Sequence, residues 1–407
     1  MIWGSEETAR SSSTRSQVAV VYHFFPHYRA AIVEALARSV HADFTFVGDD
    51  HDFCTGIKAA TLSDNVRFIL APTRKIFGRY MWQWGALRIA WDRRFDTIVF
   101  HPGPHWPCTW IGSILARLMG KRVLFWGHGY IAAPSGMKGL ARRALNAIPH
   151  AHMFYGRWAK QFAMDTGWPP EKLHVIGNSL DLAAQEKQRA AVDAESVQTL
   201  RTQLFHDPSL PTALCSCRLQ PEKRIDMLVT ALATLKTQGV KANLLIIGDG
   251  ECRHDLERWA RVAGIDTHFA GACYDEAELA RFITATEVTV SPGFVGLMAM
   301  QSMAFGVPVV THSTMAKQVP EVEAIIPGVT GDLFEWGNVE DLARVMRPFL
   351  LGEYDREATR VACHKMVERF WSPAFQLGSI ERAILGYPAD DLWFFHDTHP
   401  LTARASR

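Results

Sequence analysis

The stretch Val288-Thr-Val-Ser-Pro-Gly-Phe-Val-Gly-Leu-Met-Ala-Met-Gln-Ser-Met-Ala-Phe-Gly-Val-Pro-Val-Val-Thr311 decides the fold. It reads as strand, loop, helix, turn and strand. Val288 and Val290 belong to a β-branched run that Ser291-Pro292-Gly293 ends, because proline cannot continue a central ladder. From Phe294 to Phe305 there is no proline, and Leu297, Met300 and Ala304 fall on one helical face, which predicts a helix. Gly306 and Pro308 are the usual stop signal, and Val307 to Thr311 reads as a buried strand. Gly293 and Gly296 lie between the first strand and the helix. Glycines there let backbone N–H groups approach a ligand, and a helix N-terminus behind them favours an anion. The same glycines also suit plain turn geometry, so this stretch alone leaves a structural and a phosphate-binding reading open.

Outward from it, the same grammar repeats. Upstream, Ala213 to Ser216, Asn243 to Ile247 and His268 to Ala270 read as strands, separated by helices over 222–238, 251–263 and 275–284. Downstream, 339–350, 355–370 and 373–385 read as helices. In the first half, strands are expected at 18–22, 44–47, 67–70, 97–100, 123–126, 153–155 and 174–176. Strands alternating with helices predict parallel sheets wrapped by helices. A chain of 407 residues is too long for one comfortable core, so two α/β domains are expected. The polar segment 182–203 places the boundary near 180–210. The organisation expected is a disordered 1–16, a domain over 17–180, a connector over 181–210, a second domain over 211–370, and a helix with tail over 371–407 that could pack back on the first domain.

Composition is that of a globular protein, with 48% hydrophobic and 21% charged residues. The net charge of +1 conceals an asymmetry. Residues 1–190 hold 23 Lys and Arg against 14 Asp and Glu, while 191–407 hold 20 against 28. A basic half suggests an anionic surface or substrate, although solvated faces can differ this much without one. The seven cysteines are odd in number, show no paired zinc spacing, and fit a reducing compartment. No apolar run has the length of a membrane span, and the polar first sixteen residues lack a signal core. A cytoplasmic protein, either free or peripheral on the inner face of the plasma membrane, is expected.

Arg218-Leu-Gln-Pro-Glu-Lys223-Arg224 follows directly on the strand at 213–216. A bidentate guanidinium and a point ammonium together suit a diphosphate. Cations at a helix start oppose the helix dipole, so they call for another partner. With these residues in view, the second half resembles the nucleotide-sugar-binding half of retaining glycosyltransferases of family 4, which have the GT-B fold. The matching pieces are Arg218-Leu-x3-Lys223-Arg-x-Asp226, Ile246-Ile-Gly-Asp-Gly-Glu251, Phe269-Ala-Gly271, Ser291-Pro-x6-Met298, Gln301-Ser-Met-Ala-Phe-Gly-Val-Pro-Val-Val310 and Pro327-Gly-x2-Gly331. The resemblance implies two Rossmann-like domains facing each other across a cleft. It implies that Arg218 and Lys223 hold the donor diphosphate, that amides of Phe294, Val295, Gly296 and Leu297 cap it, and that the base lies against the loops at Gly250 and Gly271. The family usually carries two glutamates eight residues apart here. Gly293 and Gln301 occupy those positions. The first glutamate normally contacts the transferred sugar and the second the ribose, so this departure bears on donor-sugar identity.

In the first half, Tyr22-His-Phe-Phe-Pro-His-Tyr-Arg29 follows the first strand, where the family places an acceptor loop; His27 and Arg29 are the candidates. His101-Pro-Gly-Pro-His105-Trp is a similar loop. Trp126-Gly-His128-Gly129 matches the place of a histidine near the transferred sugar, and His128 is expected to orient that sugar or stabilise developing charge. Arg74 to Trp91 is basic and aromatic, and Lys138 to Arg143 adds cations. Such a face suits anionic lipid; a helix with buried tryptophans and solvated arginines would read alike. Asp50-x-Asp52 has the form of a metal motif but lies in an early polar loop, so no metal and no cofactor are expected. The resemblance implies transfer of a sugar from a nucleotide-diphosphate donor to a glycan or lipid-linked saccharide in envelope polysaccharide synthesis, with no nucleic-acid partner. A nucleotide-sugar epimerase of the same fold and a non-catalytic nucleotide-sugar-binding subunit are the alternatives.

Overall fold

The computed structural model describes residues 15–52, 57–129 and 136–389, with backbone alone at 137, 138 and 141. The expected disordered stretch 1–16 therefore lies, up to residue 14, outside the described residues, as do the tail from 390 and the side chain of Lys138. The chain divides into two compact units. One holds the residues up to Trp126 with Leu140–His152 and Ala383–Tyr387; the other holds Gly127–Gly139, Met153–Arg382 and the residues from Pro388.

In the first unit, β1 (Ser16–Phe24), β2 (Ala42–Asp49) and β3 (Arg67–Leu70) precede an antiparallel hairpin of β4 (Thr73–Phe77) and β5 (Tyr80–Gln83). Then come β6 (Thr97–Phe100), β7 (Arg122–Gly127) and β8 (Ala151–Phe154), within which the chain passes to the second unit. The strands lie in the order β3, β2, β1, β6, β7, with parallel registers such as Val18 opposite Phe44 and Val18 opposite Thr97. Ala19, Val21, Val47, Ile98 and Phe100 form one core with the helices Trp84–Trp91 and Pro107–Leu118. A parallel strand buried on both faces needs a continuous apolar run, which β1 and β6 supply.

The second unit continues with β9 (Leu173–Val175), after which Ile176 donates to the Phe154 carbonyl. The segment 182–203 forms two helices, Leu182–Ala191 and Ala194–Leu204, each capped by an aspartate, Asp181 and Asp193. Its sheet is built from β10 (Thr212–Ser216), β11 (Asn243–Ile247), β12 (Thr267–Gly271), β13 (Val288–Ser291), β14 (Val309–His312) and β15 (Gly331–Phe334), in the order β12, β11, β10, β13, β14, β15. Neighbouring strands of this sheet pair in parallel. Period-two alternation decides the two cores. Ala213, Cys215, Leu244, Ile246, Val288 and Val290 face the helices Ile225–Thr237 and Val339–Leu351. Leu214, Leu245 and Ile247 face Phe282, Ile283, Phe305 and Val307. Each fully buried Val, Leu, Ile or Phe among them contributes about 1.5–3 kcal/mol.

The decisive stretch forms as read, with one correction: the helix spans only Met298–Ala304. Gly296 has φ of 65°, a left-handed conformation that no helix accepts, so residues 294–297 form the loop. Likewise, the helix expected over 222–238 breaks at Arg224, whose φ of 49° makes it the only non-glycine residue with positive φ among the described residues. A 3-10 turn, Pro221–Lys223, precedes the break, and Ile225–Thr237 follows it.

Candidate functional site

Because β10 to β13 are parallel neighbours, the loops that follow them emerge along one edge of the sheet, where open α/β folds bind ligands. Here those loops are laced together by backbone hydrogen bonds. Cys217 N–H donates to Ile247 O and Leu219 N–H to Asp249 O, each at 3.0 Å. Cys252 N–H donates to Leu219 O at 3.1 Å, and Gly248 N–H to Gly271 O at 2.7 Å. Such lacing requires close approach, and Gly250 provides it: a Cβ there would meet the Leu219 carbonyl. Gly271 takes φ of 74° at the end of β12. The glycines expected to face a nucleotide base therefore shape the rim as a unit.

Lys223 is the pivot. It is only 9% exposed, and burial pulls its ammonium pKa below the ordinary value. Its Nζ donates to the Phe294 carbonyl at 3.0 Å and lies 3.4 Å from the centre of the Phe294 ring. Gly293 N–H donates to the Lys223 carbonyl at 3.0 Å. Thus the lysine of one strand-end loop holds the glycine-rich loop of the next. Two residues that the sequence reading missed complete the clamp. Gln318 Oε1 accepts from Val295 N–H at 3.0 Å, and its Nε2 donates to Thr311 Oγ1 at 2.9 Å. Thr311 Oγ1 in turn donates to the carbonyls of Ser291 and Gly293. The signal was present as polar residues at and just beyond the C-terminal end of an apolar strand.

Gly293 is buried, and its place is sterically fixed. A Cβ there would strike the Glu222 carbonyl and come within 2.8 Å of Lys223 Cα. A carboxylate at this position is incompatible with this backbone. Gln301 is half-buried on the short helix after the loop, its N–H donating to Leu297 O. Phe294 and Arg218 are exposed, Arg218 at the end of β10. Further along the edge, Trp336 collects two more cations: Lys317 Nζ lies 4.3 Å and the Arg224 guanidinium 5.8 Å from its ring. Such contacts contribute about 0.5–1 kcal/mol each at exposed sites. His312 packs edge-on to the same ring at 4.4 Å, and burial with the Lys317 charge pulls its pKa down to about 4, so it is neutral.

His128 is exposed, its ring 4.8 Å from that of Tyr155. It lines a cavity of about 210 Å³ with Trp158, Met315, Gln318, Pro320 and Glu323. Glu323, also missed in the sequence, is fully buried and accepts from the N–H groups of Arg157 and Trp158, each at 2.7 Å. It caps the helix Arg157–Asp165, whose Gly156 N-cap has no side chain to do so. Burial pushes its carboxyl up to about 7.

The first-unit candidates are built differently. His27 is exposed and its N–H donates to Lys58 O at 2.9 Å. Arg29 is buried, its guanidinium 4.5 Å from the Tyr22 ring and 5.3 Å from the Trp126 ring. Around it, His23 packs against His101 and Trp106, and burial together with the Arg29 charge pulls the His23 pKa down to about 4. The ligand atoms of Asp49, Asp50 and His51 lie within 4.8 Å of one another. Thr73 N–H and Asp50 N–H both bond to the Asp49 carboxylate, so that carboxylate already serves the turn.

Residues 196–366 match the protein family described as glycosyl transferases group 1. A GDP-mannose-dependent alpha-(1-6)-phosphatidylinositol dimannoside mannosyltransferase of Mycobacterium tuberculosis is 37% identical over 102 residues, which is 24% of this chain and 26% of that protein. The match thus spans about a quarter of that relative. The corresponding monomannoside mannosyltransferase of Mycolicibacterium smegmatis is 23% identical over 299 residues, 70% of this chain and 74% of that protein. Among solved structures, Anabaena Alr3699/HepE in complex with UDP superposes with a TM-score of 0.68 at 14% identity, covering 91% of this chain and 99% of that one. The fold is therefore of the GT-B glycosyltransferase class, with two Rossmann-like domains. No helix among the described residues is long and apolar enough to cross a membrane.

Proposed function

We propose that this chain is a glycosyltransferase that moves a hexosyl group from a nucleoside-diphosphate donor to a lipid-linked or glycan acceptor, with retention, in cell-envelope glycan synthesis. The observation that carries the reading is the Lys223 clamp on the loop 291–297, placed among laced strand-end loops. The group 1 match over 196–366 supports the donor side. The relatives' names support a glycolipid acceptor, and the UDP complex of the Anabaena protein supports a nucleotide donor.

In the proposed reaction the bond from the sugar anomeric carbon to the β-phosphate oxygen breaks, and its electron pair stays on the phosphate. Arg218, Lys223 and the amides of 294–297 stabilise that charge, with Lys317 and Arg224 adding positive field at the same edge. Gly250 and Gly271 border the base, and Gln301 serves the ribose through its carbonyl. The acceptor oxygen bonds to the same face of the anomeric carbon, and its proton passes to the departing phosphate. His128 orients the sugar, while His27 and Arg29 belong to the acceptor side. The lysine and arginine charges supply what a metal would, so the reaction is proposed to need neither metal nor cofactor.

The test is incubation with GDP-mannose, UDP-glucose and related donors together with phosphoinositide-based, diacylglycerol and lipid-linked glycan acceptors. The expected result is release of nucleoside diphosphate, lost in Lys223→Ala, and a product with the anomeric configuration of the donor by NMR. A protein that binds nucleotide yet consumes no donor with any acceptor is a binding subunit instead, and the reading fails.

A further inference from the structure

We infer that Trp336, with Lys317, Arg224 and His312 around its ring, forms a subsite for a negatively charged group on the transferred sugar, a carboxylate or a sulfonate. The inference deepens the reading above and rests on it for the presence of a nucleoside-diphosphate sugar. Strand order supplies the direction. The sheet runs β12, β11, β10, β13, β14, β15, and the loops assigned to the base, at Gly250 and Gly271, belong to the ends of β11 and β12. The clamp of Lys223 on Phe294 joins the ends of β10 and β13. A donor laid along this edge, base first and diphosphate next, carries its sugar towards β14 and β15. His312 ends β14, Lys317 lies in the loop after it, and Trp336 stands two residues beyond β15.

The cluster grows directly out of the clamp, since Arg224 follows Lys223 and Lys317 precedes Gln318 in sequence. Arg224 is held under strain. Its φ of 49° lies in the left-handed region, which is unfavourable for any residue with a Cβ and which persists where function needs the geometry. A glycine would make the same turn without strain, but it would not set a guanidinium 5.8 Å from the Trp336 ring.

Charge and hydrogen bonding point the same way. From 288 to 320 the chain has no Asp or Glu. Of the acidic residues that flank the cluster in sequence, Glu222 is exposed, Asp226 pairs with Arg224 Nε at 3.4 Å, Glu335 accepts from Asn338 at 2.9 Å and Glu321 from Asn178 at 2.7 Å. Lys317 is exposed over the ring at 4.3 Å and has no carboxylate partner among the described residues. His312 Nδ1 accepts from the Thr314 N–H at 3.2 Å, which puts the imidazole proton on Nε2, and that buried atom has no hydrogen-bond partner. Sugar hydroxyls need acceptors as well as donors. Lys317, Arg224 and the His312 Nε2–H offer donors alone, the complement of an oxyanion.

The test is calorimetric titration of the full chain. UDP, GDP, ADP and dTDP first fix the base; the neutral hexose, hexuronate and sulfohexose forms on that nucleotide are then compared. One of the acidic forms should bind about tenfold or more tightly than the neutral form, the scale of one charge-assisted hydrogen bond, and the preference should shrink as salt rises. The tighter of the two acids identifies the group as carboxylate or sulfonate. Lys317→Gln should lower the preference about threefold, Lys317→Gln/Arg224→Gly should bring it near parity, and Lys317→Arg should keep it. The urea midpoint of Arg224→Gly should not fall, because glycine relieves the strain, so its effect on binding is read apart from misfolding. Equal or tighter binding of the neutral form, or a preference untouched in the double variant, overturns the inference and leaves the donor-site reading standing. Binding of none of the four nucleoside diphosphates overturns that reading, and the inference falls with it.

Discussion

Phe294 and Phe77 are both exposed aromatic residues with cations beside them, and their surroundings differ in kind. Phe294 has its carbonyl and ring held by Lys223, its neighbour Val295 by Gln318, and its loop by Thr311. Phe77 stands on a hairpin whose base is fixed and whose tip, with Lys75 and Arg79, is exposed. One region is fully built before any ligand arrives, as suits a small anion whose charge must be met without reorganisation. The other leaves its apolar tip and its cations exposed. The preorganised loops fix their geometry with buried polar bonds, whereas the hairpin tip keeps apolar area and charge in solvent.

That contrast can be broken most sharply at Gly293. Gly293→Glu adds a carboxylate to the loop, yet its Cβ strikes the Glu222–Lys223 backbone. The expected outcome is destabilisation of about 3 kcal/mol or more by urea unfolding, with loss of donor binding. A well-folded variant with improved transfer would show that the loop yields. Next comes Lys223→Met, which keeps the volume and removes the ammonium. It should lower kcat by about 10²–10³-fold, the scale of losing one stabilising donor, while unfolding changes far less.

A smaller effect is expected from pH. Burial raises Glu323 from 4.5 to about 7 despite its two amide bonds. The unfolded chain ionises first, so the stability it contributes is full below about pH 4.5 and falls as pH rises towards 7. Glu323→Gln should flatten that decline in urea midpoints. The buried His152 and His312 and the half-buried His23 and His364, all lowered to about 4, act with the opposite sign. Their contribution is full above pH 6.5 and is lost as pH falls towards 4. Least is expected of Phe77→Ser, within about 0.5 kcal/mol of wild type, because the side chain is already in water.

The parallel sheets were legible because buried strands advertise themselves as apolar runs ended by glycine and proline. Arg218, Lys223 and the loop 291–297 were legible as a pattern of residue types. The clamp was not, because Gln318 and Thr311 act through bonds to a loop about twenty residues upstream in sequence. Glu323 was hidden for the same reason: a carboxylate capping a helix 166 residues upstream leaves no local trace. The basic, aromatic segment 74–91 read equally as a helix with buried tryptophans. The structure instead forms a hairpin and a helix with Trp84 and Trp91 exposed, since Thr73, Met81 and Gln83 take the buried positions.

The central claim is that the laced strand ends of the second unit bind a nucleoside-diphosphate sugar. Thermal unfolding of the full chain against UDP-, GDP-, ADP- and dTDP-sugars tests it most directly, since a ligand that binds the native state raises apparent stability. The account predicts a rise in Tm with at least one of these donors, a smaller rise with its nucleoside monophosphate, and loss of the rise in Arg218→Ala, whose side chain is exposed. No rise with any of the four, or one untouched by Arg218→Ala, would contradict it.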